Sequence, residues 1–345
     1  MNEVIITDRE VSEFFLAADR RTHLEFLQEL EFALQRYSTN PSIIPARIKA
    51  HTPSGSTVHL YMPVIDDVYS GVKTLGYNTN SNMGFVGSIN VTDADSGALF
   101  GTLEAKQVTG IRTALTSCIG LFRQLNKFEN VMQVNCTVFG GGLQAFWHVF
   151  FAVQLFKGHC DAFKINILYR RNPMDLDPLL KAINSQEAAP EVVTAQFALS
   201  DRANVRKCVA NSHVIFGCIP SEIPSLQFED LAVPSTEVEH VYVSLIGSYQ
   251  PHMHECDSET IAQFKGQGTP IIVDSKEHTP LESGELYDNR VYREQLVEIG
   301  ELAGSTVPIL KCPTSEKTVT LCKIVGLAIM DICVSKRLLE ISSSL

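Results

Sequence analysis

The segment that most constrains this chain lies between Val134 and Phe156. An apolar strand-like run, VNCTVF, enters three consecutive glycines and leaves directly into an apolar helix-like run, LQAFWHVFFAVQLF. The same grammar continues downstream. AFKINILYRR reads as a second strand and DPLLKAINSQ as a helix, and EVVTAQ, SHVIFGCIP, EHVYVSLIGS and TPIIVDS are further short apolar runs separated by polar stretches. Alternation of this kind predicts a parallel sheet with crossover helices. The turn itself reads Gly140-x-Gly142-x-x-Ala145. In such a turn the first glycine permits the bend, the second lets backbone approach a pyrophosphate, and the third small residue lets helix pack on strand. The helix N-terminus adds unpaired N–H donors and a partial positive charge. A glycine-rich turn without a ligand is the plainer alternative. The buried strand before it and the apolar helix after it supply the setting that a dinucleotide site requires, and they make Gly140, Gly142, Leu143 and Gln144 candidate cofactor contacts.

The end of the next strand discriminates between dinucleotides. An acid there holds the ribose 2′-hydroxyl of NAD, whereas arginine accommodates the 2′-phosphate of NADP. Here the strand ends Tyr169-Arg170-Arg171-Asn172, and the acid Asp161 precedes the strand instead of closing it. Arg170, Arg171 and Asn172 therefore favour NADP(H), with NAD(H) second. The bland reading is an arginine pair facing water.

Upstream the character differs. Residues 8–37 read as helical, with Leu24, Leu27, Leu30, Ala33 and Leu34 on one face, and Asn40-Pro41 ends the run. Residues 43–100 carry short β-branched and aromatic runs, VHLYMPVI, GVKTLGYN and GFVGSINVTD, with a DADSG turn before ALFGTLE. A helix is expected over 106–125, starting near Val108, and an amphipathic helix over 318–340. At 345 residues two domains are the expectation. The N-terminal strands have too few helices nearby to cover both sheet faces, which predicts a homodimer.

Composition removes several classes. A formal charge of −11 without basic runs argues against nucleic acid and anionic membranes as partners. The nine cysteines are scattered, with no CxxC pair, as in a reduced intracellular protein. MNEVIITDREVSEFF is not a secretory signal, and no window approaches 18 unbroken apolar residues, so a cytoplasmic location is expected. The run His252-Met253-His254-Glu255-Cys256-Asp257 is rich in metal-ligand types, but its spacing matches no common zinc pattern, and no metal is expected.

With these residues in view, the chain resembles the ornithine cyclodeaminase/μ-crystallin family from about Pro45 to about Asp331. The matching pieces come in the family's order. They are Pro45-Ala46-Arg47, Met62-Pro63, Gly71-Val72-Lys73, Thr109-Gly110-Ile111-Arg112-Thr113-Ala114 and Gly140-Gly141-Gly142-Leu143-Gln144-Ala145. Gly247-Ser248-Tyr249-Gln250-Pro251 with Glu255, Ser283-Gly284-Glu285-Leu286, and Lys323-Ile324-Val325-Gly326 with Asp331 complete the set. The resemblance implies a Rossmann dinucleotide-binding domain over 119–315 inserted into a split α+β substrate and dimerisation domain over 1–118, completed by a C-terminal helix over 316–345, and a homodimer. It implies substrate contacts at Arg47, Lys73 and Arg112, and cofactor contacts that include Cys218 and Ser248. The chemistry is sensible: arginine holds a carboxylate through a bidentate fork, and a lysine in an apolar strand gives up a proton readily. The plainer alternative is that these are surface charges, which an apolar setting such as that of Lys73 disfavours.

Departures from the family pattern matter equally. Cyclodeaminases carry an aspartate at the position of Tyr249, and a phenol is no substitute for a carboxylate near neutral pH. The family's Gly-Leu-Pro-Thr turn is Gly84-Phe85-Val86-Gly87 here, its Lys-Ser pair is Lys323-Ile324, and its threonine after the fourth strand is Cys218. The leading expectation is an NADPH-dependent oxidoreductase acting on a small carboxylated imine or amino acid, with Lys73 catalytic, and not an ornithine cyclodeaminase. The alternative is a non-catalytic NADPH-linked binding protein of the μ-crystallin type.

Overall fold

The computed structural model describes residues 4–78, 80–81 and 84–343. The chain divides into two compact units, Met1–Thr116 with Gly326–Leu345, and Ser117–Val325.

The first unit comprises β1 (Ile5–Ile6), α1 (Asp8–Ala17), α2 (Arg20–Thr39), β2 (Ile48–His51), β3 (Thr57–Ile65), β4 (Ser70–Asn78), β5 (Phe85–Thr92), β6 (Leu99–Glu104), the start of α3 (Ala105–Phe122) and, at the other end of the chain, α11 (Ala328–Ser343). Its six strands lie in the order β1-β6-β5-β4-β3-β2, antiparallel except for the β1–β6 pair. The strand period of two divides their side chains between two faces. Register aligns Met62, Lys73, Ile89 and Leu103 in one row across β3 to β6. Of these, Lys73, Ile89 and Leu103 are fully buried. On this side α11 packs against β3, β4, β5, β6 and α2. The opposite face presents Ile5, Ile48, Tyr61, Ile65 and Val86, all exposed.

The expected single helix over 8–37 is two helices. Asp19 accepts from the Thr22 N–H and restarts the chain as an N-cap, while Thr7 and Glu10 form a capping box on α1. The helix expected from Val108 starts three residues earlier, at Ala105.

The second unit alternates strand and helix: β7 (Gln133–Phe139), α4 (Leu143–Phe156), β8 (Ala162–Tyr169), α5 (Asp177–Asn184), β9 (Glu191–Ala198), α6 (Arg202–Ala210), β10 (Val214–Gly217), α7 (Phe228–Leu231), β11 (His240–Leu245), α8 (Ser258–Gly266), β12 (Ile271–Val273), α9 (Thr279–Glu282), α10 (Gly284–Asp288), β13 (Leu296–Glu298), β14 (Leu310–Lys311) and β15 (Thr318–Lys323). The sheet order is β13-β12-β15-β11-β10-β7-β8-β9, parallel throughout, with β14 antiparallel on β15. Strand order reverses between β7 and β10. That switch point is where an open α/β sheet binds its ligand, beyond the carboxyl ends of the strands. The Rossmann architecture inserted into a split α+β unit is as the sequence predicts.

The C-terminal expectation needs correction. Residues 318–323 are not the first turns of an amphipathic helix but a strand, β15, paired with both β11 and β12. A Thr/Val-rich run with both faces buried suits the middle of a parallel sheet. Gly326, at φ +99°, turns the chain out of it, and the helix begins only at Ala328. Residues 316–325 therefore belong to the second unit, not to the first. Nor is α11 amphipathic over its first half: Ala328 through Ser335 are all buried, so it is a core helix.

Gly87 pairs with Leu75, and a Cβ there would overlap the Thr74 carbonyl oxygen of the neighbouring strand. Restoring the family's threonine by Gly87→Thr should therefore force β4 and β5 apart. A destabilisation of about 1–3 kcal/mol is expected from the overpacking, read as a lowered Tm in thermal unfolding; an unchanged Tm would refute the close approach.

Candidate functional site

In the first unit the chemistry gathers on a single carboxylate. Lys73 is only 1% exposed, and it stands in mid-strand β4 facing the core. Its Nζ donates to Asp331 Oδ1 at 2.7 Å and to Thr109 Oγ1 at 2.8 Å. Arg112, buried on α3, donates from Nε to the same Asp331 Oδ1 at 3.2 Å and places Nη1 3.3 Å from the Met330 sulfur. Asp331 is fully buried, and its Oδ2 has no hydrogen-bond partner among the described residues. Burial lowers the Lys73 pKa to about 8; Asp331 opposes that shift and Arg112 reinforces it. An ammonium with such a pKa is a competent proton donor near neutral pH. The guanidinium lies against Gly326, where even a Cβ would come within 3.0 Å of Nη1 and Nη2.

Two of the three side chains expected to meet substrate are thus brought together. Arg47 is placed differently: it is exposed, immediately before β2, the edge strand two positions from β4. Asp331 was matched by sequence but carried no expected role. The available signal was an isolated acid in the apolar run Ile329–Val334, a placement that demands a partner.

In the second unit the glycine turn closes β7. Gly140 has φ +116°, and a Cβ there would sit 3.1 Å from the Cys218 carbonyl oxygen at the end of β10. The first glycine is therefore required by the fold itself. Gly142 differs: nothing among the described residues lies within 4 Å of a Cβ placed there, and it starts α4 without a side-chain cap. An uncapped helix start beside open space is a ready anion site. Leu143 and Gln144 form the first turn of α4, and the Gln144 carboxamide oxygen is buried with no partner among the described residues. His148, one turn on, donates from Nδ1 to the Gln144 carbonyl at 2.7 Å; burial lowers its pKa to about 4, so it stays neutral.

Arg170, Arg171 and Asn172 follow β8 directly and are exposed. Arg170 Nη1 donates to the Pro220 carbonyl at 3.1 Å. It borders a cavity of about 740 Å³ lined also by Ser200, Arg202, Pro220, Ser221 and Ser225. Arg202 was not anticipated. It opens α6 and pairs with the buried Asp230 at 2.7 Å, and no motif marks it.

Cys218 and Ser248 follow β10 and β11. Burial and the charge of Glu255 push the Cys218 thiol well above its ordinary value. The Ser248 hydroxyl is committed to Glu285 Oε1 at 2.6 Å. Beneath that turn lies a second buried charge cluster. Glu255 Oε2 accepts from the Gly247 and Ser248 N–H groups at 2.6 and 3.1 Å, and Lys323 Nζ sits 3.2 Å from Glu255 and 3.8 Å from Glu285. Burial raises the Glu255 pKa, with Lys323 opposing. The cluster fixes the turn after β11. Tyr249, in place of the cyclodeaminase aspartate, is half-buried beside it.

Among the described residues no group of three or more His, Cys, Asp or Glu side chains could hold a metal ion. His254 instead contacts Asp288 at 2.8 Å, and Glu255 serves the Lys323 cluster. No helix among the described residues is long and apolar enough to cross a membrane.

No family profile matches the chain. It is 43% identical to an uncharacterized protein of Saccharomyces cerevisiae, across 99% of this chain and 98% of the relative. It is 25% identical to a Δ1-pyrroline-2-carboxylate reductase of Bacillus cereus, across 92% and 91% of the two chains. Three solved structures share its fold, each at a TM-score of 0.70. The first is the Δ1-pyrroline-2-carboxylate reductase of Thermococcus litoralis in complex with NADH and L-proline, at 19% identity over 98% of this chain and 96% of that one. The second is a probable ornithine cyclodeaminase of Bordetella pertussis, at 18% identity over 96% and 94%. The third is an archaeal alanine dehydrogenase dimer with bound NAD, at 17% identity over 100% and 98%. These full-length likenesses agree with the ordered motifs and with the Rossmann insertion in a split first unit: the chain belongs to the ornithine cyclodeaminase/μ-crystallin family.

Proposed function

We propose that the protein is an NAD(P)H-dependent reductase of a small imine that carries a carboxylate, with NADPH preferred. The observation that carries this is the charge balance around Asp331. Two cations, Lys73 and Arg112, are buried against one anion. The cluster is short of one negative charge, and a buried excess cation is costly. A substrate carboxylate on the remaining face of the Arg112 fork closes that balance. Lys73 is placed to supply the proton that makes an imine a good hydride acceptor, its N–H bond breaking as a bond forms to the imine nitrogen; a nicotinamide bound beyond the glycine turn would supply the hydride for the carbon. The curated relatives support this substrate class, since Δ1-pyrroline-2-carboxylate is such an imine. With Tyr249 at the aspartate position, ornithine cyclisation is not the activity.

The dinucleotide would bind at Gly140, Gly142, Leu143 and Gln144, with Cys218 and Ser248 on the neighbouring turns and Arg170, Arg171 and Asn172 toward the adenosine end. The exposure of both arginines, with Arg170 bordering the cavity, supports a 2′-phosphate contact. The neighbours' bound NADH and NAD support a nicotinamide dinucleotide without deciding between the two forms. Titration should show NADPH tighter than NADH, and Arg170→Ala/Arg171→Ala should reduce NADPH affinity about tenfold while sparing NADH. Equal affinities unaffected by the double variant would refute the preference.

Kinetics test the reductase reading. Against a panel of cyclic imine carboxylates, Lys73→Met should lower kcat about 10²–10⁴-fold with a smaller effect on KM. Arg112→Gln should act mainly through KM, because a carboxylate fork holds ground state and transition state alike. A wild-type protein that binds NADPH and reduces nothing in the panel would instead be a binding protein, the reading that Gly87, Tyr249 and Ile324 favour.

The exposed apolar face of the first unit's sheet, Ile5, Ile48, Tyr61, Ile65 and Val86, supports a homodimer. Light scattering should return twice the 38.1 kDa chain mass at micromolar concentration; a monomer across that range would overturn this.

A further inference from the structure

We propose that Asp331 couples substrate binding to protonation: by holding Lys73 and Arg112 on one oxygen, it poises the cluster so that a carboxylate arriving at Arg112 draws a proton onto Lys73. The inference rests on the reductase reading for the identity of the ligand, but its test does not need turnover.

The geometry restricts what Lys73 can sense. Among the described residues the charged groups acting on it are Asp331 from α11 and Arg112 from α3; its other partner, Thr109 on α3, is neutral. Asp331 Oδ1 lies 2.7 Å from Lys73 Nζ and 3.2 Å from Arg112 Nε. Its charge is therefore shared between two cations, and Oδ2 is buried with no partner to hold the carboxylate any other way. In this low-dielectric setting each charge is felt strongly by its neighbours.

The sign follows from the three contributions. Burial and the Arg112 charge lower the Lys73 pKa, Asp331 raises it, and the balance is about 8. A ligand carboxylate on Arg112 adds one anion that offsets the guanidinium charge at Lys73. That change raises the Lys73 pKa. A protein with free Lys73 partly deprotonated above pH 8 must then take up a proton as ligand binds. The proton donor is thus loaded by the substrate that needs it. Below about pH 7 Lys73 is already protonated and no uptake occurs.

Proton uptake is measurable by calorimetry in two buffers of different ionisation enthalpy. The probe is pyrrole-2-carboxylate, a planar carboxylate with no imine to reduce. The wild-type protein should take up roughly half a proton or more per ligand between pH 8 and 9 and almost none at pH 6.5, as linkage requires. Lys73→Met, which removes the titrating group and leaves an Arg112–Asp331 pair, should bind the probe with no uptake. Asp331→Asn removes the contribution that raises the pKa, so its uptake maximum should move to lower pH. If Asp331→Asn does not fold, Arg112→Gln replaces it. With the lowering charge gone, the pH dependence of residual probe binding should move upward.

Probe binding without proton uptake, or uptake that survives Lys73→Met, overturns this inference and leaves the reductase reading standing. An unmoved maximum in Asp331→Asn removes the role of the shared carboxylate; where Arg112→Gln is used, an unmoved pH dependence of probe binding removes the coupling between Arg112 and Lys73. No binding of the probe at millimolar concentration sinks the carboxylate reading itself, and this inference with it.

Discussion

One carboxylate oxygen ties together three stretches of chain that are far apart in sequence. Asp331 Oδ1, on the last helix, holds Lys73 from the middle of β4 and Arg112 from α3. Removing one partner from a buried ion cluster of this sort costs about 3–5 kcal/mol, a large part of the stability of an ordinary domain. The arrangement explains why the chain returns to its first unit after completing the second. Without α11 the inward face of the first sheet would lose its cover, and Lys73 would lose its counter-ion. Packing and chemistry depend on the same helix, and both require its first half to be buried on every side.

The glycines of the second unit divide into those the fold requires and those it leaves open. Gly140 needs both its positive φ and its missing Cβ, because the Cys218 carbonyl lies against it. A Cβ at Gly142 would meet nothing within 4 Å among the described residues. A small residue kept where the protein itself exerts no steric demand is what close approach of a ligand backbone contact would require. The buried Glu255, Glu285 and Lys323 cluster does comparable work on the neighbouring turn, where two backbone N–H groups and one hydroxyl are held by two carboxylates.

The departures from the family pattern look different once placed. Gly87 lies in β5 where the next strand's carbonyl occupies the space of a Cβ, so the absent threonine is matched by a closer strand approach. Ile324 is buried, directly after β15, and its N–H bonds the Leu245 carbonyl. Neither position touches Lys73, Arg112 or Asp331 through any hydrogen bond or ion pair in this structure. The charge cluster is intact despite them.

Much of this protein was legible in one dimension. The strand–glycine–helix unit at Gly140, the strand–helix alternation that follows, and the burial of Lys73 are local signals. They arise because side-chain period and backbone freedom at glycine are properties of short segments. The ordered motifs carried the family. What the sequence did not disclose were facts of partnership. VTLC at 319–322 reads equally well as helix or strand, and only its seat between β11 and β12 decided for strand. The break at Ala18 depended on a cap whose competition with helix continuation is local but weak. Arg47 and Arg112 are the same residue type in matching motifs, yet one is exposed at a sheet edge and the other is buried against Asp331. The role of Asp331 was hidden for the same reason. A lone acid in an apolar run announces that it must have a counter-charge, but residues 219 and 258 positions away supply it, and only the folded chain could say which.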